Sequence, residues 1–230
     1  MKKVNKGVGK SRWQYTDLAD LLSYQIEITR LSYDTNSDRY AEAWEWSRQA
    51  IKVTAEKYIK PFVKYVRPGK SVLVVGCGTG RDLNVLTELG YRCLGVDSSA
   101  GMIREAVDKR KVNCPIVCVG FEELDLADKS FDGVLVDSAI EHMKKSNMGR
   151  VMEKIYRGLR ERGICLLRFR LGTGRVFFTE DTVGRRYFTT YTRKETRKIV
   201  EEAGFEVLNE YECPHLDLTR PGFLTYILRK

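Results

Sequence analysis

The fold is decided by the stretch Val72-Leu-Val-Val-Gly-Cys-Gly-Thr-Gly80, in a chain of 230 residues. Its first half belongs to a continuous apolar run, Ser71 to Val75, which is typical of a strand buried on both faces. Three glycines follow closely, and a helical pattern begins at about Arg81. Because a loop without side chains lets backbone amides and a helix N-terminus approach a ligand, the stretch predicts a strand, a ligand-binding loop and a helix.

The spacing of the glycines narrows the choice of ligand. The dinucleotide fingerprint has the pattern G-x-G-x-x-G, but here the third glycine comes one residue early and Arg81 stands at the last position, which disfavours NAD. The next apolar run ends in Asp97, and a carboxylate there can accept both hydroxyl hydrogens of a ribose. Asp97 can also be interpreted as a helix cap, although Ser98 or Ser99 offers the same function.

Strand and helix patterns alternate beyond this loop, which predicts a doubly wound, mostly parallel α/β sheet. The predicted helices cover residues 81–89, 100–111 and 147–160, and a last helix begins at a Thr192 cap and ends near Ala203. Gly172 to Arg186 interrupts the rhythm and is predicted to be irregular. Seven strands are expected, the last two as an antiparallel pair at one edge: residues 71–75, 92–96, 115–119, 131–136, 163–169, 205–211 and 223–228.

The N-terminal part has a different pattern. Apolar residues recur at helical spacing from Trp13 to Arg30 and from Asp38 to Ile59, after a basic start that resembles a solvated tail. We therefore expect residues 1–66 to form a tail and a helical cap on a core of residues 67–230. In the family that the chain resembles, given below, such a segment is a helical lid on a Rossmann-like core, and the resemblance implies that Tyr33 and Tyr40 close over the cofactor and substrate; the alternative is that they only anchor the helix to the sheet.

Composition limits the classes of function. Forty Lys and Arg against 31 Asp and Glu give a net charge of +9, which favours anionic partners, nucleic acid included. The apolar runs are too short to span a bilayer and no secretory signal is present, so a cytoplasmic location is expected. The six cysteines lack a CxxC pair and only two histidines exist, so neither a disulfide framework nor a metal site is expected.

Together these motifs resemble the class I S-adenosylmethionine-dependent methyltransferases, in the broad group that resembles ubiquinone-biosynthesis enzymes. The resemblance covers about Val72 to Leu228. It is carried by Val72 to Gly80, Gly95-Val-Asp-Ser-Ser-Ala-Gly-Met102, Ser130-Phe-Asp-Gly-Val-Leu-Val136, Tyr191-Thr-Arg-Lys-Glu195 and Glu202-Ala-Gly-Phe205. It implies S-adenosylmethionine as cofactor and S-adenosylhomocysteine as product.

The resemblance also implies roles for individual residues. The loop residues Gly76, Cys77, Gly78 and Gly80 would lie along the methionine and ribose, with Asp97 at the ribose and Ser98 and Met102 beside the adenine. Members of the family commonly have an acid that contacts the adenine amino group, but Gly120 stands at that position. Recognition of the adenine then falls to Phe121 or to Glu122, and Phe121 equally suits a core position.

Further candidates follow the fourth and fifth predicted strands, whose carboxyl ends should meet at the ligand edge of the sheet. Asp137 ends the fourth strand and is expected at the cofactor. His142 is a candidate general base, or it only packs in a helical turn beside the cofactor. Candidates for an anionic substrate are Arg168, Arg170 and Tyr191, with Arg175, Arg185 and Arg186 nearby; a solvated arginine edge is the alternative.

These observations favour an enzyme that methylates a small, anionic metabolite. The positive charge keeps an RNA (tRNA) methyltransferase as an alternative, and a non-catalytic protein that binds S-adenosylmethionine is a third. A pocket closed under the N-terminal lid would favour the metabolite, whereas a continuous basic stripe beside it would favour RNA. The sequence leaves the oligomeric state open.

Overall fold

The structure is a computed structural model that describes residues 18–45, 52, 55–213 and 222–230. Several predicted features lie outside the described residues. They are the basic tail, the beginning of the first helix, most of the middle of the helix predicted over 38–59, and His215 near the C-terminus.

A seven-stranded sheet forms the centre of the fold, and it confirms the predicted α/β class. The strands run in the order β3-β2-β1-β4-β5-β9-β8, with β1 to β5 parallel and β9 antiparallel to both of its neighbours. The bounds of these seven strands are β1 Ser71–Val75, β2 Arg92–Asp97, β3 Ile116–Cys118, β4 Phe131–Asp137, β5 Leu159–Arg170, β8 Glu206–Cys213 and β9 Phe223–Arg229. Two further strands, β6 Val176–Asp181 and β7 Gly184–Thr189, form a separate two-stranded sheet.

Helices cover both faces of this sheet. They are α1 Leu18–Thr35, α2 Ser37–Tyr40, α3 Lys60–Val63, α4 Arg81–Glu88, α5 Ala100–Arg104, α6 Met148–Gly158 and α7 Arg193–Glu202. Helix α2 continues as a π-helical turn over Ala41–Glu45, and α5 continues as another over Glu105–Lys109. In α7, Thr192 and Glu195 form the capping box that the Thr192 prediction implied. No helix in the described ranges is long and apolar enough to cross a membrane.

Strand β1 lies inside the sheet between β2 and β4, and four of its five residues are buried. Its register pairs Val74 with Gly95 of β2 on one side and with Leu135 of β4 on the other. The chain moves outward from β1 in one direction through β2 and β3, and in the other through β4 and β5. Ligands of open α/β sheets bind outside the carboxyl ends of the strands at this reversal, so the glycine loop after β1 lies where a site is expected.

The segment predicted to be irregular, Gly172 to Arg186, is irregular only up to Arg175, and the prediction is wrong from Val176 onward, where a β-hairpin begins. Strands β6 and β7 pair antiparallel, and the rings of Phe177 and Phe188 stack across them with centroids 5.2 Å apart. The hairpin packs on α1, where Thr29 Oγ1 accepts a hydrogen bond of 2.8 Å from the Tyr187 amide. Flanking glycines obscured the short alternation of this strand pair in the sequence.

Candidate cofactor and substrate site

A cavity of about 1040 Å³ lies at the carboxyl ends of β1, β2, β4 and β5, between the sheet, helix α1 and the β6–β7 hairpin. Ligand pockets are commonly about 300–1,000 Å³, so this one has room for a nucleoside cofactor and a small second molecule. Most predicted site residues line it: Tyr33, Tyr40, Gly76, Cys77, Gly78, Asp97, Ser98, Met102, Phe121, Glu122, Asp137, His142, Arg168 and Arg170.

Two predicted site residues do not lie on the cavity wall. Gly80 is the N-cap of helix α4 with φ +80°, and a Cβ there would lie 2.3 Å from Val112 Cγ2. Packing therefore requires a glycine at position 80, and the contact of Gly80 with the cofactor stays a prediction. Tyr191 is fully buried in the core beside Phe169, with ring centroids 5.7 Å apart, so we withdraw its assignment to the substrate.

The carboxylate of Asp97 is held in a fixed orientation by the backbone. Its Oδ2 accepts a hydrogen bond of 2.8 Å from the Gly78 amide and its Oδ1 accepts one of 2.9 Å from the Ser99 amide. Burial raises the pKa of Asp97, while these amide hydrogen bonds oppose the shift. Each oxygen keeps a further lone pair, so the geometry fits the two hydroxyls of a ribose.

The side chains expected around the adenine line the same cavity. Met102 is buried, and Phe121 packs against the apolar core from the cavity side. Glu122 Oε1 already accepts a hydrogen bond of 2.8 Å from Asn147 Nδ2. The carboxylate of Glu122 is thus anchored to a neighbouring turn, and its contact with the adenine stays a prediction.

A buried ion-pair network that the sequence did not reveal lies on the cavity wall. Asp137 Oδ2 is 3.0 Å from Arg81 Nη2, and Asp137 Oδ1 accepts a hydrogen bond from Arg168. Burial opposes ionisation of Asp137, but the guanidinium groups of Arg168 and Arg81 hold its pKa below the ordinary value. The Arg168 guanidinium also lies between the rings of Tyr58 and Phe223, at 4.1 and 3.6 Å from their centroids.

His142 lies at the far end of the cavity with both ring nitrogens engaged. Nδ1 is 2.7 Å from the Tyr187 carbonyl oxygen, so this nitrogen carries the proton. Nε2 is then the acceptor for the Tyr33 hydroxyl at 2.9 Å, and the Tyr33 oxygen in turn accepts from Arg186 Nη1 at 3.3 Å. Burial lowers the pKa of His142 to about 4, so the imidazole is neutral at pH 7.

The other arginines at this end differ in how well they are paired. Arg186 contacts Asp181 at 2.5 Å, whereas the closest ionic contact of Arg170 is Glu141 Oε2, 3.6 Å from Nε. Within the described residues the Arg170 guanidinium donates no hydrogen bond, and its side chain is 12% exposed. The Phe188 ring lies near both guanidinium groups, 5.3 Å from Arg170 Cζ and 5.5 Å from Arg186 Cζ.

Comparison with known proteins agrees with this geometry. Residues 73–167 match the family model described as a methyltransferase domain. An uncharacterized protein of Methanocaldococcus jannaschii is 29% identical over 131 residues, which cover 56% of this chain and 48% of that protein. A demethylmenaquinone methyltransferase of Corynebacterium urealyticum is 32% identical over 76 residues, 33% of this chain and 32% of that enzyme. The chain thus matches about half or less of the length of these relatives.

A solved structure shows the same fold. The 1,6-didemethyltoxoflavin-N1-methyltransferase of Burkholderia thailandensis, crystallised with 1,6-didemethyltoxoflavin and S-adenosylhomocysteine, superposes with a TM-score of 0.64 at 20% identity, over 92% of this chain and 88% of that one. The family match, the strand order and the placement of Asp97 at the glycine loop agree with one another. Residues 73–167 thus match a methyltransferase domain, and the chain has the fold of an S-adenosylhomocysteine-bound methyltransferase.

Proposed function

We propose that the protein transfers a methyl group from S-adenosylmethionine to a small, anionic metabolite that binds at the arginine end of the cavity. The observation that carries this proposal is Arg170, a guanidinium on the cavity wall that donates no hydrogen bond within the described residues. A largely buried guanidinium whose Nε lies 3.6 Å from the Glu141 carboxylate and donates no hydrogen bond is unfavourable, and a carboxylate or phosphate of the substrate would satisfy it.

The enclosure of this end supports a small substrate over RNA. Arg168 and Arg186 also line the cavity, and they are only 7% and 5% exposed. Helix α1 and the β6–β7 hairpin both contribute residues to the wall. Phosphate contacts to RNA require arginines and lysines that a polymer can reach at the surface, whereas these buried guanidinium groups suit a molecule that enters the cavity.

The cofactor supplies the electrophilic methyl group, and the chain supplies binding and orientation. Asp97 would hold the ribose, and a closed cavity would exclude water from the reacting atoms. We further propose that residues 1–66 act as a lid, because Tyr33 and Tyr40 in their described part face the cavity from above the sheet.

Where the acceptor must lose a proton, Tyr33 and His142 would accept it together. The acceptor proton would pass to the Tyr33 oxygen while the Tyr33 proton passes to His142 Nε2, the nitrogen it already contacts at 2.9 Å. Tyr33→Phe should lower kcat by about tenfold to a hundredfold, and the affinity for S-adenosylhomocysteine should stay unchanged. An unchanged kcat would show that no proton passes through this pair.

The decisive experiment is transfer of labelled methyl from S-adenosylmethionine into separated metabolite and RNA fractions of one cell extract. Label in an anionic metabolite fraction is expected, and Arg170→Met should abolish it. The exposed Arg175→Met serves as the control and should retain it. Label in RNA would establish the RNA alternative, and no label in either fraction would favour a protein that only binds the cofactor.

A further inference from the structure

Glu45 is a buried carboxylate that the N-terminal segment places against the glycine loop. It ends the π-helical turn Ala41–Glu45, its side chain is among the lining of the cavity, and the residue is 6% exposed. Its Oε1 lies 3.7 Å from the position that a Cβ on Gly78 would take. Glu45 is thus separated in sequence from the loop that it contacts, and no sequence motif indicated it.

The two oxygens of Glu45 have different surroundings. Oε2 accepts a hydrogen bond from Thr79 Oγ1 and lies 3.8 Å from Arg110 Nη2. The Arg110 guanidinium in turn donates to the Thr79 carbonyl oxygen at 2.7 Å, so Thr79, Arg110 and Oε2 form one anchored unit. Oε1 has no hydrogen-bond donor among the residues that the structure describes, and it is the oxygen on the Gly78 side.

Around the glycine loop, the carboxylates outnumber the cations that are available to neutralise them. Glu45 and Asp97 both face the loop, and Glu45 contributes to raising the pKa of Asp97, as expected for neighbouring carboxylates. Arg110 is one cation beside them, while Arg81 is already engaged by Asp82 at 2.8 Å and by Asp137. A cationic group of the ligand would balance this excess.

We propose that Glu45 binds the α-ammonium group of the methionine end of the cofactor. This inference rests on the proposed binding of S-adenosylmethionine, which carries two cationic groups, a sulfonium and an ammonium. The sulfonium has no N–H or O–H to donate, whereas the ammonium has three donors, and Oε1 lacks a donor. The lid segment would therefore bind the amino-acid end of the cofactor in addition to covering it.

Binding of three cofactor analogues to the full chain, measured by calorimetry, tests the assignment. S-adenosylhomocysteine has the ammonium without the sulfonium, decarboxylated S-adenosylmethionine has both, and 5′-methylthioadenosine has neither. Glu45→Gln keeps an oxygen to accept from Thr79, and it should weaken binding of the first two at least tenfold while 5′-methylthioadenosine stays within twofold of the parent. The control Glu42→Gln removes the same charge from an exposed position of the same turn and should change none of the three.

Other results would overturn the assignment in distinct ways. Equal weakening of all three ligands would show that Glu45 acts through the shape of the loop. Weakening of the decarboxylated analogue alone would place Glu45 at the sulfonium, and unchanged binding of all three would remove it from the cofactor site. If the parent protein binds none of the three ligands, the proposed cofactor function fails first, and the inference fails with it.

Discussion

The side chain of Asp34 in helix α1 accepts a hydrogen bond from Gly101 of helix α5, and the Asp34 backbone lies close to the same glycine. Asp34 Oδ1 accepts hydrogen bonds from the Gly101 amide at 2.5 Å and from Ser99 Oγ at 3.2 Å. The Asp34 carbonyl oxygen would lie only 2.1 Å from a Cβ on Gly101. Because residue 101 has no side chain, α1 can pack this closely beside Ser98 and Met102, which line the cavity.

Gly101→Ala should displace α1 from the core. The added methyl meets backbone, which cannot rotate away, so the free energy of unfolding should fall by about 1–3 kcal/mol. Hydrogen exchange should show faster exchange of the α1 amides than in the parent, with the β4 amides unchanged. Gly149→Ala is the control, because a Cβ there meets nothing within 4 Å and should slightly stabilise helix α6. Identical exchange of α1 in both variants would contradict the close packing.

Asp137→Asn tests the buried ion-pair network. The substitution leaves the guanidinium groups of Arg168 and Arg81 without their shared carboxylate in a site where Asp137 is 7% exposed, and removal of one partner of such a pair costs about 3–5 kcal/mol. Urea unfolding should show this loss. Asp128→Asn breaks an exposed pair with Arg157 and should change the free energy of unfolding by less than about 1 kcal/mol. Similar losses in the two variants would rule out a structural role for the network.

Asp97→Asn tests the ribose carboxylate. An amide retains one acceptor oxygen but loses the charge and the second acceptor, so the Kd for S-adenosylhomocysteine should rise by about tenfold to a hundredfold. Calorimetry measures this, with Asp108→Asn on the exposed face of the turn after α5 as the control of equal charge. If Asp97→Asn binds as tightly as Asp108→Asn, the ribose assignment is wrong.

The stability of the protein should depend on pH through two buried groups of opposite sign. Burial lowers the pKa of His142 from 6.5 to about 4, so between those values the unfolded chain binds the extra proton and stability rises with pH. Burial raises the pKa of Glu141 from 4.5 to about 7, so between those values the folded chain holds the extra proton and stability falls as pH rises. Each effect is on the order of 3 kcal/mol, and the two nearly cancel.

Single variants should separate these two effects. Urea unfolding of Glu141→Gln at pH 5 and pH 6.5 should show greater stability at the higher pH, because only the His142 effect remains. His142→Gln should show the reverse, and the parent should change least. Parallel pH profiles for all three proteins would contradict the pKa shifts.

The sequence determined the local elements and the residue types of the glycine loop. A continuous apolar run, a cluster of glycines and a terminal Asp97 are local patterns, so they predicted strand β1, its loop and the ribose carboxylate. Short-range patterns also predicted the seven strands of the central sheet and the antiparallel last strand. The hairpin of β6 and β7 was missed because each strand is short and its partner, α1, lies about 150 residues earlier in the chain, a contact that local periodicity does not reveal.

Only the tertiary structure decided which candidates meet at the cavity and in what state. Arg168 and Arg170 alternate on β5 and look equivalent in the sequence. Arg168 is neutralised by Asp137, whereas the Arg170 guanidinium donates no hydrogen bond among the described residues. The difference lies in the neighbours that the fold supplies. Tyr191 has the residue type of a binding group but packs inside the core, and Glu45 has no motif but reaches the glycine loop. Residue type limits the chemistry that is available, whereas burial and long-range contacts decide which groups are charged, satisfied or free to bind.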